Sequence, residues 1–287
     1  MEIRNRMKSW RALFRSVACE LLRSRRIGLF CAGRLTLYRI SRGLRLDRTR
    51  LLRLRPRGCR YPLAMRVPDS SDVEVFLSVF VWQEYRVLCD IPEPKVIVDC
   101  GANVGYSSIY FLNAFPKARV IAIEPDPENF RICNQNLAPY SSRVQLLRAA
   151  VWGRSTRVAI QRGCFRDGRE WATQVREANA GDRDTVDAVD MSSLLGLAPG
   201  GVVDLLKIDI ERSELELFGC DPHRWLPSIR NIAIELHDED CERVFSQALQ
   251  GYSYDKSLSG ELTICRNIRP KASVEATLAR PEPEAQA

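Results

Sequence analysis

The sequence predicts an α/β fold built on a doubly wound, mostly parallel sheet, preceded by a basic, helical N-terminal extension. Three observations predict it. From about residue 95, short apolar runs suited to strands alternate with segments of helical spacing. The first run ends in a glycine-bearing loop, Asp99-Cys100-Gly101-Ala102-Asn103-Val104-Gly105, which opens a helix. The second ends in an acidic residue, Glu124, nineteen positions after Gly105. Single strands separated by helices require right-handed crossovers and hence parallel pairing.

Element by element, Lys95–Cys100 is a continuous apolar run, the mark of a strand buried on both faces. Gly105–Ala114 has helical spacing and stops before Pro116. Arg119–Glu124 is a second buried strand, and Pro125–Leu137 a helix with Pro127 in its first turn. Val144–Val151 is a third strand. Residues 152–190 are polar and irregular, with short strands at Val158–Gln161 and ending near Asp190. Val202–Asp209 is the next strong strand, followed by a short helix over Glu211–Phe218, a strand over Asn231–Leu236 and a helix over Cys241–Leu249. Tyr252–Lys256 and Glu261–Asn267 form a closing hairpin around Ser259-Gly260, an antiparallel edge. The domain divides as a basic arm over 1–66, a body over 67–267, and a Pro-, Ala- and Glu-rich tail over 268–287 expected to be disordered.

Charge separates arm from body. The 287 residues carry net +7, yet residues 1–60 hold 18 Lys and Arg against 3 Asp and Glu. Trp10, Leu13, Phe14, Val17, Ala18 and Leu21 lie on one helical face, with Lys8, Arg11, Arg15 and Arg23 around it. Such a helix either packs on the body or attaches to an anionic membrane surface. Nucleic acid is not an expected partner, because the arm lacks interleaved aromatic and basic residues. An Arg-rich organellar transit peptide shares this composition. The ten cysteines are scattered without a C-x-x-C pair, and His223 and His237 are the only histidines, so the sequence assigns no metal site and no disulfide framework. No apolar run near the start approaches the ~20 residues that span a bilayer. The expectation is a reduced, cytoplasmic protein, peripheral at the membrane if the arm binds lipid.

The loop after the first strand lies where open α/β sheets bind ligands, outside the carboxyl ends of the strands. Glycine there lets backbone N–H groups approach a ligand, and Asn103 tolerates a left-handed conformation. A nicotinamide-binding loop starting at Gly101 would need glycine at positions 103 and 106, which are Asn103 and Tyr106. An oxidoreductase is therefore the weaker alternative. Asp99 suits a cationic or zwitterionic ligand such as the methionine part of S-adenosylmethionine, and Glu124 suits a ribose diol.

These motifs resemble those of the FkbM family of S-adenosylmethionine-dependent methyltransferases. The resemblance runs from Asp69-Ser-Ser-Asp-Val-Glu-Val-Phe76 and Glu84-Tyr85 through the Asp99–Gly105 loop, Ile123-Glu-Pro-Asp-Pro-Glu-Asn-Phe130 and Ala149-Ala-Val151. Leu206-Lys-Ile-Asp-Ile-Glu211 and Ile232-Ala-Ile-Glu-Leu-His237 complete it. It implies a Rossmann-like, seven-stranded class I methyltransferase sheet. It further implies that Asp99, Gly101, Ala102, Asn103 and Gly105 line the methionine end of the cofactor, that Glu124 and Pro125 border its ribose, and that Ala149 and Ala150 border its adenine. The implied reaction is O-methylation of a glycan, glycolipid or natural-product hydroxyl. One departure stands out: the family follows its Asp-x-Glu with Gly-Ala-Glu, whereas Arg212-Ser213-Glu214 follows here, at a turn expected to demand glycine.

On the acceptor side, Lys207, Asp209, Glu211, Glu235 and His237 are the candidate catalytic residues. Asp209 and Glu211 share a face of an extended chain, and His237 has the ordinary pKa of a general base. Lys207 is either catalytic or the partner of a buried carboxylate, and His237 either the base or a loop residue. Carboxylates at 209, 211 and 235 would suit a hard cation, though nothing in the spacing calls for one. The remaining alternative is a binding or scaffold protein on a degenerate methyltransferase fold.

Overall fold

The computed structural model describes residues 24–43, 50–68, 70–162 and 173–272. The Trp10–Leu21 helix, Asp69 and most of the C-terminal tail lie outside the described residues. The chain separates into two compact units, Met1–Arg86 and Val87–Ala287.

In the first unit, helix α1 (Leu29–Gly43) buries Cys31, Ala32, Leu35 and Tyr38. Their spacing of i, i+1, i+4 and i+7 makes one face of a helix. The chain then forms an antiparallel pair, β1 (Leu51–Leu54) and β2 (Leu63–Arg66), rather than continuing the helical arm expected to residue 66. Alternation decides this: Leu52 and Leu54 are buried while Arg53 is exposed. Helix α2 (Asp72–Phe76) is tied to β2 by the buried Asp72 carboxylate, which accepts from the Arg66 backbone N–H at 2.6 Å and from its guanidinium at 2.7 Å.

The second unit carries the seven-stranded sheet. Its strands are β3 (Val96–Cys100), β4 (Arg119–Ile123), β5 (Val144–Leu147), β10 (Leu205–Ile208), β11 (Ile232–Glu235), β12 (Tyr252–Ser259) and β13 (Leu262–Pro270). The order is β12-β13-β11-β10-β3-β4-β5. Pairing is parallel from β11 to β5 and antiparallel at β11–β13 and β13–β12. The chain runs outward from β3 to β4 and β5, then returns to the other side of β3 for β10 and β11. The switch point therefore falls between β3 and β10, where a crevice opens at the strand ends.

Helices α3 (Tyr106–Ala114), α4 (Pro127–Leu137), α5 (Met191–Leu197), α6 (Glu214–Gly219) and α7 (Glu239–Ala248) connect the strands. Asp126 caps α4 by accepting from the N–H groups of Glu128 and Asn129, with Pro127 at the first turn. Asp190 and Asp238 cap α5 and α7 in the same way. One large core joins Val98, Ile121, Leu206, Ile232 and Ile234 of the sheet to Leu194, Leu217, Phe218 and Phe245 of the helices.

Several boundaries differ from the sequence reading. The expected strand Val144–Val151 breaks after Leu147, because β4 has ended and its last partner, the Glu124 N–H, takes the Leu147 carbonyl. The chain then enters a second, four-stranded sheet, β6 (Ala150–Val151), β7 (Thr156–Gln161), β8 (Gln174–Glu177) and β9 (Thr185–Val189), ordered β6-β9-β7-β8. Of the described residues in the polar region 152–190, β7 and β9 are the two short strands expected there, and β8 carries no sequence signal because Gln174, Val175 and Arg176 are all only half buried. Finally, β13 runs to Pro270, so residues 268–270 belong to the body and not to the tail. The cysteines seen are free thiols; Cys100, Cys133, Cys241 and Cys265 are buried as small apolar side chains.

Candidate functional site

The loop at the end of β3 is built around a buried ion pair. The β3–β10 register sets Asp99 beside Lys207, and their side chains meet at 3.2 Å. Asp99 also accepts from Ser107 and Ser108 of α3, each at 2.6 Å, and is fully buried. Lys207 donates to the carbonyl of Gly101 at 2.7 Å and to that of Cys100 at 3.3 Å. Both residues thus hold the loop in place: Lys207 is the partner of a buried carboxylate, and Asp99 anchors the loop from beneath.

The glycines are there for packing. A Cβ on Gly101, whose φ is +77°, would lie 1.8 Å from the Asp209 carbonyl oxygen. The Gly101 and Ala102 N–H groups both donate to the Ile123 carbonyl, at 3.1 and 2.9 Å. They point into the sheet, so the expected approach of these N–H groups to a ligand is not what Gly101 serves; close passage of β10 is. Gly105, at φ +86°, packs against α4, where a Cβ would meet Cys133 Sγ at 3.0 Å. Asn103 adopts φ +49°, and its Oδ1 is buried without a hydrogen bond.

Glu124 ends β4 and grips the same loop. Its carboxylate accepts from the Asn103 N–H at 2.8 Å and the Asp126 N–H at 2.9 Å. Burial pushes its pKa up to about 7; the two backbone bonds oppose burial, and the Asp126 charge adds to it. Pro125 follows in the turn into α4. Ala149 and Ala150 are buried where the chain leaves β5 for the second sheet, and Arg162 at the end of β7 donates to Asp126 at 2.6 Å.

Across the crevice, five side chains from four segments converge on one point. His237, two residues beyond β11, has a fully buried side chain. Its Nε2 lies 3.3 Å from Glu211 Oε2, 3.6 Å from Asp209 Oδ1 and 3.7 Å from Glu235 Oε1, and its Nδ1 lies 3.3 Å from Glu214 Oε1. Burial alone would lower the imidazole pKa, but the Glu211 and Glu214 carboxylates outweigh it and raise it to about 11. At neutral pH the ring is a cation among carboxylates, so it is not the base its ordinary pKa suggests. Glu214 was not singled out from sequence. Its signal is weak, an acid three residues past Glu211 at the start of a short helix, yet it is fully buried and also accepts from the Ile210 N–H at 3.0 Å.

The departure at Arg212 resolves here. Glu211 (φ +51°) and Arg212 (φ +77°) both occupy the left-handed region expected to require glycine. Arg212 is held by a 2.6 Å ion pair to Asp238, the cap of α7. That conformation costs about 1–2 kcal/mol per non-glycine residue. It also explains why α6 begins at Glu214 instead of Glu211.

The sheet order, the loop at the switch point and the acidic strand end together are those of a class I methyltransferase. Residues 99–256, more than half of the chain, match the family model described as the methyltransferase FkbM domain, and the chain belongs to that family. It is similar to methyltransferase sdnD of Sordaria araneosa, 27% identical over 206 residues that cover 61% of this chain and 78% of sdnD. It is 30% identical over 122 residues to 2-O-methyltransferase NoeI of Sinorhizobium fredii, covering 42% of this chain and 46% of NoeI. A stretch of 201 residues is 26% identical to AMB antimetabolite synthetase AmbE of Pseudomonas aeruginosa; it covers 58% of this chain but 9% of AmbE, so the chain corresponds to a small part of that protein.

Proposed function

We propose that this methyltransferase uses S-adenosylmethionine to methylate a hydroxyl of a glycan, glycolipid or other small molecule. The observation that carries the reading is the convergence of Asp209, Glu211 and Glu235 at the ends of β10 and β11, next to the Asp99–Gly105 loop and Glu124. The residues present fit this cofactor. The unsatisfied Asn103 Oδ1 offers an acceptor to an ammonium group. Glu124 Oε2 accepts only the Asn103 N–H and keeps a lone pair for a ribose hydroxyl, while Oε1 is already taken by the Asp126 N–H and the Asn129 side-chain amide. Bound there, S-adenosylmethionine supplies an electrophilic methyl group on a sulfonium leaving group. The chain's own task is to orient the acceptor oxygen and take its proton. Asp209, about one-third exposed, and Glu235, partly buried, have carboxylates available for that proton. The His237 ring lies among these carboxylates. The similarity to a 2-O-methyltransferase supports an oxygen acceptor.

Titration calorimetry tests the cofactor. Wild type should bind S-adenosylmethionine, and Glu124→Ala should weaken binding by roughly 1.5–3 kcal/mol, about ten- to a hundredfold. Ribose hydroxyls donate to the ionised carboxylate, so binding favours the deprotonated form. With the free-state pKa near 7, affinity should fall about tenfold from roughly pH 8 to pH 6. The Glu124→Gln variant should lack that slope. No binding by wild type at millimolar ligand would leave the scaffold reading, and comparable NAD binding the oxidoreductase one. Transfer of labelled methyl from S-adenosylmethionine to polysaccharide or glycolipid extracts then identifies the acceptor class.

An attachment to an anionic membrane surface is supported by the outer face of α1. Opposite its buried face, Leu29, Phe30, Leu37 and Ile40 are 81, 79, 67 and 54% exposed, and they share an arc of one helical face. Arg25, Arg26, Arg34, Arg39 and Arg42 lie on or beside this helix, and each basic residue near an anionic bilayer contributes on the order of 1 kcal/mol. Among the described residues no helix is long and apolar enough to cross a membrane. Full-length protein should therefore sediment with anionic liposomes at low salt and be released as salt rises. A Phe30→Ser, Leu37→Ser double variant should stay in solution with its melting temperature unchanged. Failure of the wild type to sediment at low salt would eliminate membrane attachment.

A further inference from the structure

We propose that Asp209, Glu211 and His237 form a binding site for one divalent first-row cation. The inference deepens the acceptor-site reading above, on which it rests for its role in the reaction. One donor atom from each residue lies within 4.8 Å of the other two. Neighbouring ligands about 2.1 Å from a common ion, at right angles, are about 3 Å apart. The measured 3.3 Å from Nε2 to Glu211 Oε2 and 3.6 Å to Asp209 Oδ1 are close to that spacing.

Two further observations separate this cluster from an ordinary acidic patch. Glu211 is nine-tenths buried, and its Oε2 faces the cluster with no hydrogen bond, 3.3 Å from the His237 nitrogen that would share the ion. Such an atom costs free energy unless something binds it. The second is Glu214, fully buried on the far side of the imidazole, 3.3 Å from Nδ1. A carboxylate on the outer nitrogen fixes the ring tautomer and leaves Nε2 to ligate once the ion displaces its proton to solvent, the arrangement that orients metal-bound histidines.

Charge points the same way. Asp209, Glu211, Glu214 and Glu235 all face His237, and Lys207, 3.8 Å from Asp209, is already paired with Asp99. Even a cationic imidazole leaves the four carboxylates under-compensated. Two carboxylate oxygens and one imidazole nitrogen suit Mn2+ and its neighbours better than Ca2+, which takes oxygen ligands alone. An ion here would sit at the ends of β10 and β11, where the acceptor hydroxyl is expected, and would draw that oxygen into place as a further ligand.

Mn2+ is the probe. Chelator-treated full-length protein is titrated with Mn2+, and free ion is counted by its paramagnetic resonance signal. One ion per chain is expected, with nitrogen modulation of the spin echo from a single imidazole. Asp209→Asn, a partly exposed change, should weaken binding at least tenfold while leaving the melting temperature and S-adenosylmethionine affinity intact. His237→Gln should remove the nitrogen signal. Absence of a stoichiometric site in wild type, or binding unchanged in Asp209→Asn, overturns the proposal. So does a bound ion without nitrogen modulation. Calorimetry with S-adenosylmethionine in chelator keeps the cofactor reading separate, since it succeeds or fails without the cation.

Discussion

Gly101→Ala is expected to be the most destabilising single substitution in the Asp99–Gly105 loop, on the order of 3 kcal/mol or more. The new Cβ would stand 1.8 Å from the Asp209 carbonyl oxygen and 3.0 Å from its carbon, both backbone atoms of the neighbouring segment. No rotamer change relieves a clash with backbone. The chain must also hold alanine at φ +77°. Relief would pull β10 away from β3 at the point where Lys207 binds the Gly101 carbonyl. Two control glycines scale the effect. Gly181→Ala, at φ +102° with open space around it, carries only the conformational cost, about 1 kcal/mol. Gly105→Ala meets side-chain atoms at 3.0 and 3.3 Å and should fall between. Denaturant unfolding of the three variants tests the order. At about 2–4 °C per kcal/mol for a domain this size, Gly101→Ala should lower the melting temperature by roughly 6–12 °C or more. A Gly101→Ala loss no larger than that of Gly181→Ala would refute the packing argument.

Turnover should fall by about 10²–10⁴ when the acceptor-side carboxylate that takes the proton is neutralised. Asp209→Asn and Glu235→Gln are the two variants, each nearly isosteric. S-adenosylmethionine affinity should stay within a few-fold of wild type in both, because the residues proposed to hold the cofactor lie in the Asp99–Gly105 loop, at the end of β4 and beyond β5. Glu235 is not among the three proposed cation ligands, so a loss confined to Asp209→Asn, matched by loss of Mn2+, assigns that carboxylate to the cation. A loss on Glu235→Gln at full Mn2+ occupancy assigns Glu235 as base. His237→Gln should also lose turnover, together with thermal stability, since it removes the cation that holds four carboxylates together. Wild-type turnover in both Asp209→Asn and Glu235→Gln would move the base elsewhere.

Local pattern carried the parallel core. Val96-Ile97-Val98-Asp99-Cys100 and Leu205-Leu206-Lys207-Ile208 are buried along their whole length, and a central parallel strand covered on both faces has that composition. The closing hairpin was legible for the related reason that Ser259-Gly260 separates two strand-like runs. Region 152–190 was legible only in part: the short strands expected at Val158–Gln161 and ending near Asp190 are β7 and β9, whereas β8 was not marked. Its strands are short and half exposed, and they pair antiparallel in a small sheet whose apolar cluster is Ala150, Trp152, Val158, Val186 and Ala188, with Ile160 and Val175 packed against it. Too few alternations exist there to distinguish strand from loop.

For the proposed site, residue type and order in the chain pointed to Glu124, Asn103, Asp209 and Glu235, because ligand sites of open α/β sheets fall at strand ends. What those residues do required distances. Lys207 and Asp99 are far apart in sequence, and only the β3–β10 register makes them a buried pair. Arg212 stands in a left-handed turn because Asp238, 26 positions later, holds its side chain.

His237 marks the division most clearly. The sequence by itself determined that a histidine follows the fifth parallel strand and that acids end the fourth; periodicity and strand order are local properties written along the chain. That four carboxylates surround the ring, reverse its acid–base character and leave a cation-sized cluster of donors was decided by tertiary structure. Protonation and ligation depend on burial and on separations of a few ångströms between segments. Those separations exist only once β10 and β11 have paired.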